Sequence, residues 1–360
     1  MTKTEQSHFY DWPRTRSFNA GLTLIVGGRG IGKTYGARLN GLNDFLKREQ
    51  RTVEIFRTKS EMKRVTAGYF DRLALRPEFR ACDFRSDASG GFIKTAGGGK
   101  WEKIFYWAWI TAYQDLKKQT TVNVRQLIFD EFILDRTNSY QRYVTNEFAK
   151  VANIVDTVTR QRAGDGQAPQ LFMLANAVDL VNPYFAALGI DRPPQFGYRW
   201  YAKKTALLHM VEQSEEDIRK KSEETLSGRL LALAGDDREA ASALKNEFTL
   251  RGESFIAKRC KVTRPVASIV WRGKEFTIWR RVDNVDKLHI RDGIASECRS
   301  WNRVFYFSRA DARIDYRAAK RADKSLRWVG EVFANGGITF ETPALFEIFA
   351  EVATYLGLPL

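Results

Sequence analysis

Apolar residues fall in short runs along roughly the first half of the chain, and several runs are too continuous for a strand with one face in water. Leu22–Val26, Leu127–Phe129 and Gln170–Ala175 have this form, the pattern of strands buried on both faces of a parallel sheet. Thr52–Phe56 reads as a further strand. Helical spacing is expected from Thr34 to about Arg48, and again over Asn146–Arg162, where Val151, Ile154, Val155 and Val158 recur on one side. Two apolar or alternating runs around Gly97-Gly98-Gly99 predict a hairpin or adjacent strands, Gln114–Gln119 reads as a loop, and Asn182-Pro183 as a turn. The fold class expected for residues 1–205 is therefore α/β, a mostly parallel sheet wrapped by helices. Residues 206–251 are expected to be a helical linker, charged and without a core strand, with helical stretches at Glu215–Leu226 and Arg238–Phe248. Over 252–360, alternating runs at Phe255–Val262, Ala267–Trp271, Glu275–Val282 and Val304–Phe307 precede two amphipathic stretches, Leu326–Ala334 and Pro343–Leu356. That order predicts a small α+β domain.

The first apolar run empties into Gly27-Gly28-Arg29-Gly30-Ile31-Gly32-Lys33-Thr34, a complete GxxxxGK[ST] phosphate loop. Glycines let the backbone turn tightly and aim N–H groups at phosphate oxygens, Lys33 would reach the terminal phosphates, and the Thr34 hydroxyl would ligate Mg²⁺. The following helix adds the positive end of its dipole. ATP and Mg²⁺ are the expected ligands. Leu127-Ile128-Phe129 ends in Asp130-Glu131, where Asp130 would hold the Mg²⁺ shell and Glu131 would polarise the attacking water. Asn176, at the end of the next apolar run, either senses the terminal phosphate or the water, or forms a turn. Arg160 and Arg162 end the Asn146–Arg162 helix. They are either complements to its dipole or, as in ring-shaped hydrolases, groups that reach a neighbour's site.

Composition adds a partner. Lys and Arg total 58 against 43 Asp and Glu, a formal charge of +15, which favours a polyanion. Arg57, Lys59, Lys63 and Arg64 follow the strand end at Phe56, and Lys117 and Lys118 lie on the expected loop. Lys59, Lys63, Arg64, Lys117 and Lys118 are the candidate DNA contacts, with a solvated basic face as the alternative for each. The aromatic group Phe9, Tyr10, Trp12 either stacks on adenine or straps the core edge. Cys82, Cys260 and Cys298, and His8, His209 and His289, are scattered without metal-ligand spacing. With no long apolar run, the expectation is a soluble, cytoplasmic protein with no membrane partner.

Four segments together resemble the DNA-packaging (encapsidation) ATPases of small tailed phages: Gly27–Thr34, IFDEF at Ile128–Phe132, DTVTRQR at Asp156–Arg162, and LANAVDLVNPYF at Leu174–Phe185. The last two are the specific ones. The likeness covers about the first two hundred residues well, and more loosely the FIAKR and SIVWRGKEFTIW stretches. It implies a homomeric ring motor, a pentamer, that drives double-stranded DNA into a preformed capsid at the portal in the host cytoplasm. Some members also use a structural packaging RNA. It further implies that Arg160 acts in trans, and that the C-terminal domain is a vestigial RNase-H-like nuclease used for docking to nucleic acid or a partner. Asp283, Asp286, Asp292, Asp311 and Asp315 are the acids available for a two-metal nuclease, and their spacing reads as surface or turn positions. The rival readings are a cleaving large terminase or a helicase, and, from another class, a P-loop small-molecule kinase.

Overall fold

A computed structural model of the chain describes residues 9–95, 99–118, 121–134, 143–161, 168–177, 179, 182–190, 194–212, 256–257, 259–319, 324–334 and 337–356. The chain divides into two units, residues 1–178 with 194–248, and residues 179–193 with 249–360.

In the first unit, β1 (Leu22–Val26), β2 (Arg51–Phe56), β6 (Val124–Asp130) and β7 (Gln170–Ala175) are almost wholly buried. With no face left for water, side-chain alternation gives way to continuous apolar sequence. The nine-stranded sheet runs β3 (Cys82–Asp87), β4 (Gly90–Thr95), β5 (Glu102–Trp109), β2, β6, β7, β1, β9 (Ala206–Met210), β8 (Gly197–Tyr201). Neighbours from β5 to β9 are parallel, and antiparallel pairs close both ends, β3–β4–β5 on one side and β8–β9 on the other.

Two expectations change here. The sheet does not end at residue 205, since Leu22–Val26 pairs along its length with Ala206–Met210. A linker beginning at 206 would cut the β8–β9 hairpin. ALLHM is short and carries His209 near its end, so its sequence hides a strand that the neighbouring β1 stabilises. The rest of the expected linker, from residue 213 on, lies outside the described residues. Of the stretch expected as a loop at Gln114–Gln119, the described residues 114–118 are instead the end of a kinked 3-10 segment, Ile110–Lys118.

Among the described residues of this unit the α-helices are α1 (Trp12–Ser17), α2 (Lys33–Arg48), α3 (Lys59–Thr66), α4 (Asp71–Ala74) and α5 (Glu147–Gln161). Thr58 opens α3 with a full capping box, its side chain accepting from the Glu61 N–H while Glu61 answers to the Thr58 N–H.

In the second unit, α6 (Pro183–Leu188) begins at Asn182, whose Oδ1 accepts from the Tyr184 and Phe185 N–H groups. The asparagine–proline pair is thus a helix cap with proline in the first turn, and it seats Tyr184 and Phe185 in the core. A six-stranded sheet runs β14 (Arg317–Ala318), β13 (Val304–Tyr306), β10 (Thr263–Trp271), β11 (Lys274–Arg281), β12 (Leu288–Asp292), β15 (Ile338–Phe340). β10, β11 and β12 form an antiparallel meander, and the remaining pairs are parallel. With α7 (Ser296–Ser300), α8 (Lys324–Ala334) and α9 (Pro343–Leu356), this unit has the expected α+β composition, but it also takes in residues 179–193, which the sequence reading placed in the first domain. Leu326 and Val329 of α8 and Leu345, Phe349 and Val352 of α9 share a core with Phe276, Ile278, Ile290 and Phe340 of the sheet. Among the described residues no helix is long and apolar enough to cross a membrane.

Candidate nucleotide site

β1 delivers the chain to the phosphate loop, held on its flank by a Gly27 N–H to Ala175 carbonyl bond of 3.0 Å. Gly30 and Gly32 take φ of 85° and 80°, the left-handed region open to glycine at little cost. A Cβ on Gly27 would sit 2.8 Å from Ile31 Cδ1. Gly32 caps α2 without any side-chain bond, and the start of that helix turns its first N–H groups and the positive end of its dipole toward an anion site. Lys33 is buried. Its ammonium donates to the carbonyls of Gly27 and Gly28, both at 2.8 Å, and to Asn176 Oδ1 at 3.2 Å.

The sheet order explains why Asn176 is there. β7 lies between β1 and β6, so the end of β7 stands between the phosphate loop and the acidic pair at the end of β6. Across that gap the Thr34 hydroxyl donates to Asp130 Oδ2 at 2.7 Å. A hydroxyl and a carboxylate converging beside a glycine cradle are hard oxygen donors suited to Mg²⁺, so the residues present fit the expected metal.

Glu131 has φ of 52°, a conformation costing a non-glycine residue about 1–2 kcal/mol. Its N–H donates to Asp130 Oδ1 at 2.9 Å. Its carboxyl reaches solvent, yet crowding by protein pushes its pKa up, Asp130 and Glu61 push the same way, and Arg57 and Arg29 oppose them.

Arg57 departs from the sequence reading. Grouped there with surface basic residues, it is buried. Its guanidinium holds the Glu131 and Phe132 carbonyls at 2.7 and 2.8 Å and pairs with buried Glu147 at 3.1 Å. The missed signal was its position next to a strand end that neighbours β6; Glu147, remote in sequence, is brought to it only by the fold.

Lys59, Lys63 and Arg64 are exposed on α3, and Lys59 lies over the Trp109 ring at 5.6 Å. The side chains of Lys117 and Lys118 lie outside the described residues, as does Arg162. Arg160, in the last turn of α5, is 71% exposed and pairs with Asp156 one turn back. Of the two readings of the aromatic group, the strap holds for Tyr10 and Trp12. Both are buried, Trp12 meets Phe172 edge-on at 5.3 Å, and the Tyr10 N–H donates to the Ile31 carbonyl at 2.8 Å.

Of the five aspartates in the second unit, Asp283 pairs with Arg281, and Asp311 accepts from the Arg272 and Gly273 N–H groups and from the Ser308 hydroxyl. Among the described residues no three His, Cys, Asp or Glu side chains converge to hold a metal ion.

Residues 4–352 match the family model described as Podovirus DNA encapsidation protein (Gp16). The chain is 32% identical over 266 residues to a DNA packaging protein of Bacillus phage B103, covering 73% of this chain and 75% of that one. It is 31% identical over 277 residues to the DNA packaging protein of Bacillus phage phi29, 76% of each. A chain of the phi29 viral genome packaging motor assembly superposes with a TM-score of 0.66 at 23% identity, over 97% of this chain and all of that one. A chain of the Phi-28 gp11 DNA packaging motor gives 0.68 at 20% identity, over 98% and 99%.

Proposed function

This chain belongs to the Podovirus DNA encapsidation protein (Gp16) family, and from that premise we propose how its residues turn ATP hydrolysis into movement of double-stranded DNA into a capsid. The observation that carries the reading is the convergence of Lys33 and Thr34, at the start of α2, with Asp130 and Asn176 at the ends of the adjacent strands β6 and β7, and with Glu131 one residue beyond Asp130. On this reading Gly27–Gly32 and the start of α2 cradle the phosphates, and the Lys33 ammonium exchanges loop carbonyls for phosphate oxygens. Thr34 and Asp130 hold Mg²⁺, which when bound neutralises charge on the phosphates. Glu131 orients and deprotonates the water, a task its raised pKa suits. Asn176, already bonded to Lys33, senses the terminal phosphate.

Arg160 serves a neighbouring subunit, a role its exposure at the end of α5 allows. The assembly is a homomeric ring of five at the procapsid portal in the host cytoplasm, with a structural packaging RNA as a further partner. Lys59, Lys63 and Arg64, with Lys117 and Lys118, grip the DNA backbone. The second unit, residues 252–360 in the sequence reading, docks nucleic acid or a partner without cutting it. The family assignment sets aside a small-molecule kinase.

DNA-stimulated ATP hydrolysis by the full chain tests the core of this reading. Addition of double-stranded DNA is expected to raise turnover, and Lys33→Ala to abolish it. Turnover indifferent to DNA would remove the coupling.

A further inference from the structure

A carboxylate that must hold a water in line with a phosphoryl group is only as well placed as the backbone carrying it. Glu131 is the first residue after β6, so regular strand pairing no longer constrains it, and its φ of 52° is one the chain does not adopt by preference. Something must hold it there. On one side the Phe132 N–H donates to the Leu174 carbonyl at 3.2 Å. On the other, two successive carbonyls, those of Glu131 and Phe132, are taken by Nη1 and Nη2 of a single guanidinium.

We propose that Arg57 is a positioning residue for hydrolysis: its forked guanidinium, fixed by Glu147, locks the Glu131–Phe132 backbone in the left-handed turn that aims the Glu131 carboxylate at the phosphate loop. The inference rests on the assignment of Glu131 as the group that activates water.

Each part of the arrangement is suited to holding a direction. Arg57 follows β2, the strand hydrogen-bonded to β6, so it starts one strand away from its targets. Its own N–H donates to Glu61 Oε2 at 2.8 Å, and its guanidinium lies over the Phe129 ring at 5.0 Å and the Tyr143 ring at 5.5 Å. Its Nε donates to Glu147 Oε1 and Oε2 at 3.1 and 3.3 Å, and Glu147 Oε2 accepts from the Val144 N–H at 2.7 Å. The Nε, Nη1 and Nη2 donors of this rigid plane therefore have set directions, which a lysine ammonium on a flexible stem cannot reproduce. A buried ion pair is often no more stabilising than well-packed apolar side chains of similar volume. Its placement beside Glu131 is accounted for by geometry rather than by stability.

The test uses the full chain and three variants, with affinity for a fluorescent ATP analogue measured separately from hydrolysis. Arg57→Lys keeps the charge and loses the fork. Its kcat is expected to fall about 10²-fold, the scale of an ångström's misplacement, while analogue affinity stays within about twofold of the parent, since the phosphate loop is untouched. The double variant Arg57→Met/Glu147→Leu replaces the pair by apolar side chains and provides a readable protein should Arg57→Lys fold poorly. It is expected to lose kcat similarly while keeping its affinity for the analogue. Parental hydrolysis in both, or loss of analogue affinity in step with kcat in both, would overturn the proposal, the second by reducing Arg57 to a folding element. Glu131→Gln separates this from the reading beneath it. If that variant hydrolyses normally, the assignment of Glu131 fails; if it is slow while both Arg57 changes are harmless, only the positioning role does.

Discussion

At the scale of single residues, the site is a set of polar groups held against their preferences. Lys33 is a buried cation, Asp130 and Glu131 are adjacent acids, and Glu131 sits in a strained turn. The last has a measurable consequence. Crowding by protein and the neighbouring Asp130 and Glu61 carboxylates raise the Glu131 pKa, and a base works only when deprotonated. The rate of hydrolysis should therefore rise with pH through a limb lying above the usual glutamate range. Glu131→Gln should bind nucleotide and turn over about 10²–10⁴-fold more slowly, the usual contribution of a general base. The same shift bears on stability. A carboxyl whose folded pKa exceeds its unfolded value loses stability as pH rises through the interval between them, and the loss persists above it. At neutral pH Glu131→Gln should consequently melt at a higher temperature than the parent, which differential scanning calorimetry reads directly. A lower melting temperature would mean that Glu131 supports the fold.

At the scale of elements, the strap around the phosphate loop illustrates how a sequence feature with two readings resolves by packing. Tyr10 and Trp12 lie under the loop because α2 offers a gap at Gly36, where a Cβ would come 2.2 Å from the Trp12 indole nitrogen. The Tyr10 hydroxyl lies 2.8 Å from His209 Nδ1 on β9, and Tyr198 of β8 stacks on that imidazole at 3.7 Å. Strap, sheet edge and loop are thus joined through His209, whose pKa burial lowers to about 4, with Arg14 adding to the effect and Asp11 opposing it. Between pH 6.5 and about 4 the unfolded chain takes up the proton and the folded chain does not, so stability falls as pH drops through that window. Melting temperature followed against pH should show this decline, and His209→Gln, which cannot charge, should flatten it. An equal slope in the variant would assign the decline to other groups.

At the scale of the whole molecule, the excess of basic residues and the exposed helix ends concern the polymer this ATPase moves and the copies beside it. Neutralising Lys59, Lys63, Arg64, Lys117 and Lys118 together should weaken DNA binding irrespective of sequence and reduce its salt dependence, by a slope of about 0.9 for each phosphate that is no longer neutralised. An unchanged slope would move the DNA path elsewhere. Arg160 calls for a mixing experiment. An arginine supplied in trans contributes about 10³–10⁵-fold to turnover, whereas a surface dipole complement contributes about a kcal/mol or less. Arg160→Ala and Glu131→Gln subunits, each nearly inactive alone, should regain part of the activity when mixed, because some interfaces then pair an intact arginine with an intact Glu131. No recovery would return Arg160 to its own chain.

Features encoded in contiguous residues are legible in the sequence by itself. The phosphate loop, the acidic strand end, the buried strands, the helices α2, α5, α8 and α9 and the family resemblance all depend on local spacing and burial, which leave a pattern within a few turns of chain. The tertiary structure alone decided what distant segments do to one another. It placed β7 between β1 and β6, and so Asn176 against Lys33. It drew ALLHM into the sheet, turned Tyr10 and Trp12 into the core, and buried Arg57 between Glu147 and the Glu131 turn. An arginine after a strand looks the same in sequence whether water or a carboxylate 90 residues further along meets it. The difference is one of burial and partner, set by which strands lie side by side.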